Sequence, residues 1–540
     1  MDILIYALAS ILFAMGLLLA ARRLTHYFQL ESYQFQGYFK TVCRQWKRTI
    51  LPFFAAGALP CGFGFLVYER HDAALLSPDG AALWALNRCV WVLLLALALC
   101  FALHRAAVKK TEKKKFALTP RMKRLYGMLA VVLLGVQAAF FWGLGYPLGA
   151  YGGVIALLPL LVPLAALLAL PVERLIFRLY FRDAERKLME NDRLIRIGIT
   201  GSYGKTSTKF ILAEILSQKY NVLATPASFN TPMGVTRIIR ERLTPSHQVF
   251  IGEMGARHVG EIKELCRLVH PQIGILTAVG PQHLDTFKTL ERIEKTKYEL
   301  IDALPPDGVG VFGADGAIVS RLYAQTEKPK LLAGPKEADA WAENVRVSPQ
   351  GSHFSLCLRG WEPIPCETRL LGEHNIQNIL VACAAAKHLG LSREQIARGV
   401  GALKPVEHRL QLLPSRGGVT VIDDAFNTNP RSSREALKVL SSFPGRRVVV
   451  TPGMVELGAE EERFNYEFGQ AMAKSVDVAV LVGKKHTAPI VRGLRESGFP
   501  EAGIHVVPSL EEAVALNRTL LRPGDVVMYE NDLPDHYSEG

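Results

Sequence analysis

Five apolar runs fill the first third of this chain, and they rule out any fold that leaves that third in water. They cover residues 3–20, 51–67, 83–103, 126–146, and 154–170 continuing toward 177. Each is close to the ~20 residues that carry a helix across a bilayer. A core helix of a soluble protein seldom runs so far without charge, and five in succession point to membrane spans. The second run is the least regular, with Gly57, Pro60, Gly62 and Gly64 inside it, although membrane helices tolerate such residues.

Loop charge sets the expected orientation. Arg22, Arg23, Lys40, Arg44, Lys47 and Arg48 lie between the first two runs. Arg105, Lys109, Lys110, Lys113, Lys114, Lys115, Arg121, Lys123 and Arg124 lie between the third and fourth. The segment 69–82 has one basic residue, and 147–153 has no charge. Basic loops alternating with neutral ones predict an outside N-terminus and a cytosolic position for everything after the fifth run. No basic residue precedes the first run, so it does not read as a cleaved signal peptide. The expected location is a bacterial plasma membrane, multi-pass, with the catalytic domains in the cytosol. The basic loops could also hold membrane lipid headgroups, but positive-inside topology already accounts for them.

The charge is unevenly spread. Up to Arg193 there are 23 basic and 11 acidic residues, leaving 40 and 39 beyond it. The basic character therefore belongs to the apolar third, and the remainder lacks the basic face of a nucleic-acid-binding domain. The 8 cysteines form no CxxC pair, so neither a zinc site nor a disulfide framework is indicated.

From Leu194 onward, short β-branched runs alternate with amphipathic helical stretches. Strands are expected at 195–200, 248–252, 273–278, 309–313, 419–423, 447–451, 476–482 and 525–529, and helices at 206–218, 259–269, 290–303 and 376–389. This alternation predicts mostly parallel sheets covered by helices. Residues 329–371 read as a β-rich excursion, and Lys404-Pro405-Val406 as a boundary. The expected organisation is a membrane domain at 1–182, a central ATP-binding domain at 183–404 and a C-terminal domain at 405–540.

The motif Thr200-Gly201-Ser202-Tyr203-Gly204-Lys205-Thr206-Ser207 follows a strand and opens a helix. In that setting backbone N–H groups and the helix N-terminus converge on phosphate oxygens. Lys205 would reach the β- and γ-phosphates of ATP, and the Thr206 hydroxyl would face Mg2+. Ile199 stands where a strict Walker A loop has glycine.

That TGxxGKT/S form resembles the Mur ligases and folylpolyglutamate ligases. Further segments are similar to the Mur ligase family in particular, nearest its D-alanyl-D-alanine-adding branch. Ser228-Phe229-Asn230-Thr231-Pro232 carries the family's asparagine as Asn230. The resemblance makes Glu253, in Gly252-Glu253-Met254-Gly255, a magnesium ligand. It places His283, in Gly280-Pro281-Gln282-His283, at a second magnesium, and makes Lys297 the lysine that many members carry as a carbamate. Gly372-Glu373-His374-Asn375-Ile376-Gln377-Asn378 resembles the HNxxN element near the nucleotide, through Asn375 and Asn378. Arg409 resembles an arginine on ATP phosphates, and Asp424, in Asp423-Asp424-Ala425-Phe426-Asn427, a nucleotide-contacting aspartate. Singly, each residue has a plainer reading as a solvated acid, a turn histidine or a helix-face lysine. In this order and context they imply one site.

The apolar runs thus predict a multi-span helical membrane domain, and the resemblance implies a phosphate-loop central domain and a Rossmann-like C-terminal domain after it. It implies an ATP- and Mg2+-dependent ligase that activates a carboxylate as an acyl phosphate for attack by an amine. Catalytic roles fall to Lys205, His283, Lys297 and Arg409. Nucleotide contacts fall to Gly201, Ser202, Tyr203, Gly204, Lys205, Thr206, Ser207, Asn230, Asn375, Asn378, Arg409 and Asp424. Metal contacts fall to Thr206, Glu253, His283 and Lys297. The chain departs from the family in four places. Membrane runs replace a soluble UDP-sugar domain, and Tyr529-Glu530-Asn531-Asp532 replaces KGSR. Phe426 replaces a tyrosine, and Gly313-Ala314-Asp315-Gly316 replaces a typical NADD. The expected substrates are an amino acid or short peptide amine and a cell-wall or envelope precursor, lipid-linked or not. A capsule- or storage-polymer ligase and an ATP-driven transporter are the alternatives. Few charged residues at depth mark a polar pathway for a transporter.

Overall fold

The computed structural model describes residues 2–31, 33–69, 78–107, 115–144, 147–314, 316–426 and 428–532. The chain divides into two compact units, Met1–Phe177 and Arg178–Gly540.

The described residues of all five apolar runs lie in helices, at Asp2–Ala20, Leu51–Glu69, Pro78–Ala107, Pro120–Leu144 and Pro147–Met189. Two helical stretches among the described residues are long and apolar enough to cross a membrane, Pro120–Phe140 and Tyr151–Met189. Ala7–Ala20 with Arg22–Leu30, bent by 45°, adds a third if the pair is one span. Val90–Ala106 is apolar but shorter. The neutral loop expected at 69–82 lies largely outside the described residues, as do Lys109, Lys110, Lys113 and Lys114 of the basic loop. Phe13, Leu17, Val92, Leu129, Val154 and Leu158 pack the core between helices. Arg124 donates twice to Glu173, at 2.5 and 2.9 Å, and the Tyr38 hydroxyl donates to the Pro159 carbonyl at 2.8 Å.

The second unit contains two sheets. Nine strands form the first: β1 Ile195–Thr200, β2 Val222–Ala224, β3 Val249–Glu253, β4 Ile273–Leu276, β5 Val309–Gly313, β6 Lys330–Gly334, β7 Ala340–Ser348, β8 Gly351–Leu358 and β9 Ile364–Thr368. Their order is β2-β3-β1-β4-β5-β6-β7-β8-β9. Strands β2 to β6 are parallel, and the excursion at 329–371 supplies the antiparallel edge β7-β8-β9. Strands β3, β4 and β5 are buried along their whole length, as a sheet covered by helices on both faces requires.

Each of the strands β3, β1, β4 and β5 holds a glycine, and these fall in one row: Gly252 pairs Gly198, Gly198 pairs Gly274, and Gly274 pairs Gly310. The row lets the helix Leu290–Asp302 approach the sheet. A Cβ on Gly198 would lie 2.8 Å from Leu300, and one on Gly274 3.1 Å from the same side chain. On the opposite face Ile211, Leu212 and Ile215 of the helix Lys205–Leu216 pack with the alanine-rich helix Glu373–His388.

The second sheet holds β10 Gln411–Arg416, β11 Val419–Asp424, β12 Arg447–Thr451, β13 Val478–Val482, β14 Ile504–Val507 and β15 Val526–Glu530, in the order β10-β11-β15-β12-β13-β14. All but β10 are parallel. Three strands carried too little patterning to be read from sequence: β2 has 3 residues, β10 contains Pro414, and β14 is only partly buried. The helix that ends the first third runs on into this unit, where Ala184 and Leu188 are buried in the core. Asp183 pairs with Arg240 at 2.6 Å.

Candidate active site

In the first sheet the chain leaves β1 toward β2 and later returns to its other side through β4. The carboxyl ends of β1, β3 and β4 therefore flank a switch point, where open parallel sheets bind ligands. Gly201 and Gly204 turn the chain there with φ of 149° and 77°. At Gly201 a Cβ would fall 2.1 Å from Thr277 Oγ1, and at Gly204 2.5 Å from Asn378 Oδ1, so no side chain fits at either. Ser202 donates to the Gly280 carbonyl at 2.9 Å, and the Tyr203 hydroxyl to the Pro281 carbonyl at 2.8 Å. The loop is thus braced against the segment after β4. Lys205 Nζ bends back to the Gly201 carbonyl at 2.7 Å. Burial brings its pKa down to about 8, against the pull of Glu253 and with the push of Arg409. Ser207 is half-buried on the first turn of the helix.

Glu253 closes β3 and is buried. Its Oε1 accepts from Thr206 Oγ1 at 3.1 Å and Asn230 Nδ2 at 3.0 Å, and its Oε2 takes Lys209 Nζ at 2.9 Å. Burial alone would raise its pKa, but Lys209 and Lys205 outweigh that and hold it below the ordinary range. Lys297, on the helix Leu290–Asp302, is also buried, and it has no ion-pair partner among the described residues. Burial and then Lys205 push its pKa well down, which favours the neutral amine.

His283 lies close enough to Lys297 for that charge to act on it. Its Nδ1 faces Glu456 at 2.6 Å, and no hydrogen bond ties it to Glu253 or Thr206 among the described residues. Burial lowers its pKa, and Glu456 opposes the shift. Asn375 and Asn378 are spent on protein contacts. Asn375 donates to the Leu371 carbonyl at 2.9 Å, Asn378 donates to Asn375 at 3.3 Å, and Asn378 accepts from Thr208 at 3.2 Å. They hold the phosphate loop against the helix Glu373–His388.

From the second sheet come Arg409 and Asp424. Arg409 lies close enough to Lys205 and Glu253 for its charge to act on both. Its guanidinium lies over the Phe426 ring, 4.5 Å from the centroid, an arrangement that needs only the aromatic face and not a tyrosine hydroxyl. Asp424 accepts from the Leu410 N–H at 3.1 Å, and burial lifts its pKa to about 7 against the pull of Arg409.

No group of three or more His, Cys, Asp or Glu side chains among the described residues could hold a metal ion by itself. The Thr206 hydroxyl and the Glu253 carboxylate nevertheless suit Mg2+, which takes one or two protein oxygens and completes its shell from phosphate and water. Sequence reading did not reach Lys209 or Glu456. Lys209 lies four residues after Lys205 on the same helix face, a signal that could have been used. Glu456 lies in a loop with no motif of its own.

A phosphate loop at the switch point of one parallel sheet, with an arginine brought beside it from a second, defines an ATP-using enzyme of the phosphate-loop class. Residues 199–386 match the Mur ligase middle domain, and residues 408–529 match the Mur ligase, glutamate ligase domain. The chain belongs to the Mur ligase family and is an ATP-dependent carboxylate–amine ligase. It is 35% identical over 358 residues to the UDP-N-acetylmuramoyl-tripeptide–D-alanyl-D-alanine ligase of Mycobacterium bovis, covering 62% of this chain and 69% of that one. The Escherichia coli ligase of the same name is 32% identical, with coverage of 56% and 67%. Among solved structures, MurF from Acinetobacter baumannii superposes with a TM-score of 0.60 at 26% identity, over 67% of this chain and 78% of that one.

Proposed function

We propose that this enzyme works at the membrane, joining an amino acid or short peptide to the carboxylate of a peptide-bearing cell-wall precursor. The observation that carries this reading is the pairing of a Mur ligase ATP site with a preceding third built of five apolar runs. Lys205, Arg409 and the loop 201–207 hold the ATP phosphates, and Asn230, Asn375, Asn378 and Asp424 shape the nucleotide site. Thr206 and Glu253 hold Mg2+, with His283 and Lys297 at a second ion. Bound there, Mg2+ neutralises charge that builds on the phosphate oxygens.

A carboxylate repels an incoming amine, so it must first be activated. A carboxylate oxygen of the acceptor attacks the γ-phosphorus, the bond to the β–γ bridging oxygen breaks, and ADP leaves. Lys205 and Arg409 stabilise the charge on the transferring group. The amine then attacks the carbonyl carbon of the acyl phosphate. The tetrahedral adduct expels phosphate and loses the amine proton, leaving an amide. At Lys297 a neutral amine can attack CO2 and release a proton, so that a buried neutral group becomes a carbamate anion. Lys297→Ala should lose activity and recover part of it with a short-chain carboxylate. Full activity of the alanine variant without rescue removes Lys297 from the mechanism.

The membrane reading is tested with full-length protein in lipid, supplied with ATP, membrane extract and amino acids. The expected outcome is a new amide in the product mass spectrum. Phosphate release should need both acceptor and amine, and both signals should vanish in Lys205→Ala. Phosphate release without an amine would favour an ATP-driven transporter and reject the ligase reading of the membrane part.

A further inference from the structure

Glu456 belongs to none of the motifs read from the sequence. It lies in the loop that follows β12 in the C-terminal domain, with its side chain 8% exposed. Its φ of 66° is in the left-handed region, unfavourable for a residue with a Cβ. Three contacts with the middle domain accompany that conformation. Oε2 takes His283 Nδ1 at 2.6 Å, Oε1 pairs with Arg257 at 3.1 Å, and the Glu456 carbonyl accepts from the Asp285 N–H at 3.4 Å. His283 is itself left-handed, with φ of 51°.

A carboxylate only accepts hydrogen bonds, so the imidazole proton sits on Nδ1 and the lone pair is left on Nε2. A nitrogen lone pair is what a metal ion requires. A carboxylate behind the far nitrogen fixes both tautomer and ring direction. Among the described residues, no middle-domain side chain makes a hydrogen bond to the His283 ring. Its orientation is supplied from the other domain.

We propose that Glu456 is a positioning residue that fixes the tautomer and aim of His283, so that this part of the metal site is complete only when the C-terminal domain is docked. This role rests on the reading of His283 as a metal ligand and not on what the enzyme joins, so metal binding can fail while ligation stands. It makes docking of one domain a condition for metal binding by a residue of the other, and so keeps phosphoryl transfer from an open enzyme. Arg257 has a separate role: it shares the carboxylate and secures the docked loop without touching the ring.

The test is Mn2+ binding by electron paramagnetic resonance, on full-length protein with the β,γ-methylene analogue of ATP. Glu456→Met keeps the volume and removes the acceptor, and it should weaken Mn2+ binding by about 10-fold or more. Glu456→Gln keeps an oxygen for the Nδ1 proton and should stay within about three-fold of wild type. Arg257→Met breaks the ion pair only and should behave like Glu456→Gln. Glu456→Met added to His283→Ala should cause no further loss. Cooperative melting of each variant checks that it folds, and if Glu456→Met does not, Glu456→Ser replaces it. Wild-type Mn2+ affinity in the variant lacking the acceptor overturns the proposal. So does an equal loss in Arg257→Met, which would assign the effect to docking alone, or an additive loss in the double variant.

Discussion

Lys209 and Glu253 are both removed from water and paired at 2.9 Å, so each favours the charged form of the other, with Lys205 adding its pull on Glu253. Breaking a buried pair from one side costs about 3–5 kcal/mol, because the remaining charge keeps its desolvation penalty. Lys209→Met should therefore destabilise the α/β unit by that amount in denaturant melts. It should also weaken Mg2+-nucleotide binding, as Glu253 takes up a proton. Unchanged stability would mean that the glutamate needs no cation behind it. A second residue gives a pH signature. Glu530 closes β15, is fully buried, and accepts from Thr451 Oγ1 at 2.7 Å. Burial lifts its pKa from 4.5 to about 8. The folded state therefore holds this proton more tightly than the unfolded chain. The stability gained is full below pH 4.5, shrinks as pH rises, and is gone above about 8. Asp424, lifted to about 7, adds to the same fall. Glu530→Gln should flatten part of the decline in melting temperature from pH 4.5 to about 8. Identical slopes for variant and wild type would contradict the buried neutral acid.

Among the elements, the helix Pro147–Met189 belongs to both parts of the chain. Its apolar run ends near Leu170 and charged residues follow, which is why the sequence suggests a boundary at 182. The C-terminal turns of this helix are part of the α/β core, with Ala184 and Leu188 at 0% exposure. Arg240 stacks on Tyr180, 3.9 Å from the ring centroid, and His270 reaches Glu185 at 2.7 Å. A chain shortened to begin at Arg178 should fold and bind ATP, whereas one beginning at Asn191 should lose about 3 kcal/mol or more from the uncovered leucine and alanine. Thermal melts with and without ATP decide this, and equal melting temperatures would make the helix end dispensable. The glycine row has a related origin. Each glycine looks like a weak point in its own strand, and only the pairing register shows that they share a row in which Gly198, Gly274 and Gly310 face the helix Leu290–Asp302.

For the whole molecule, the alternation of basic and neutral segments predicts a cytosolic α/β unit. Cys43 is exposed on the helix Phe35–Arg44, in the basic segment between the first two apolar runs, so it should react only with reagents that reach the cytosolic side. A cysteine introduced at Ser77, in the neutral loop, should react from outside. Labelling of both from the same side would reject the five-span topology in favour of fewer crossings.

The phosphate loop, the α/β alternation and the apolar runs were legible in the sequence because each rests on local chemistry. Glycines that turn a loop, β-branched runs that make a buried strand, and ~20 apolar residues that match a bilayer all act within a few residues of themselves. The site residues were legible only through their order along a familiar pattern, and that pattern says nothing about what they touch. Tertiary structure decided that Asn375 and Asn378 brace the loop, that Phe426 serves as a platform for Arg409, and that Lys209 stands behind Glu253. It also decided that His283 takes its orientation from a glutamate 173 residues away. The physical reason is the same in each case. A buried charge or a ring nitrogen is governed by whatever group packs within about 3 Å of it, and between distant segments that neighbour is chosen by sheet order and domain docking.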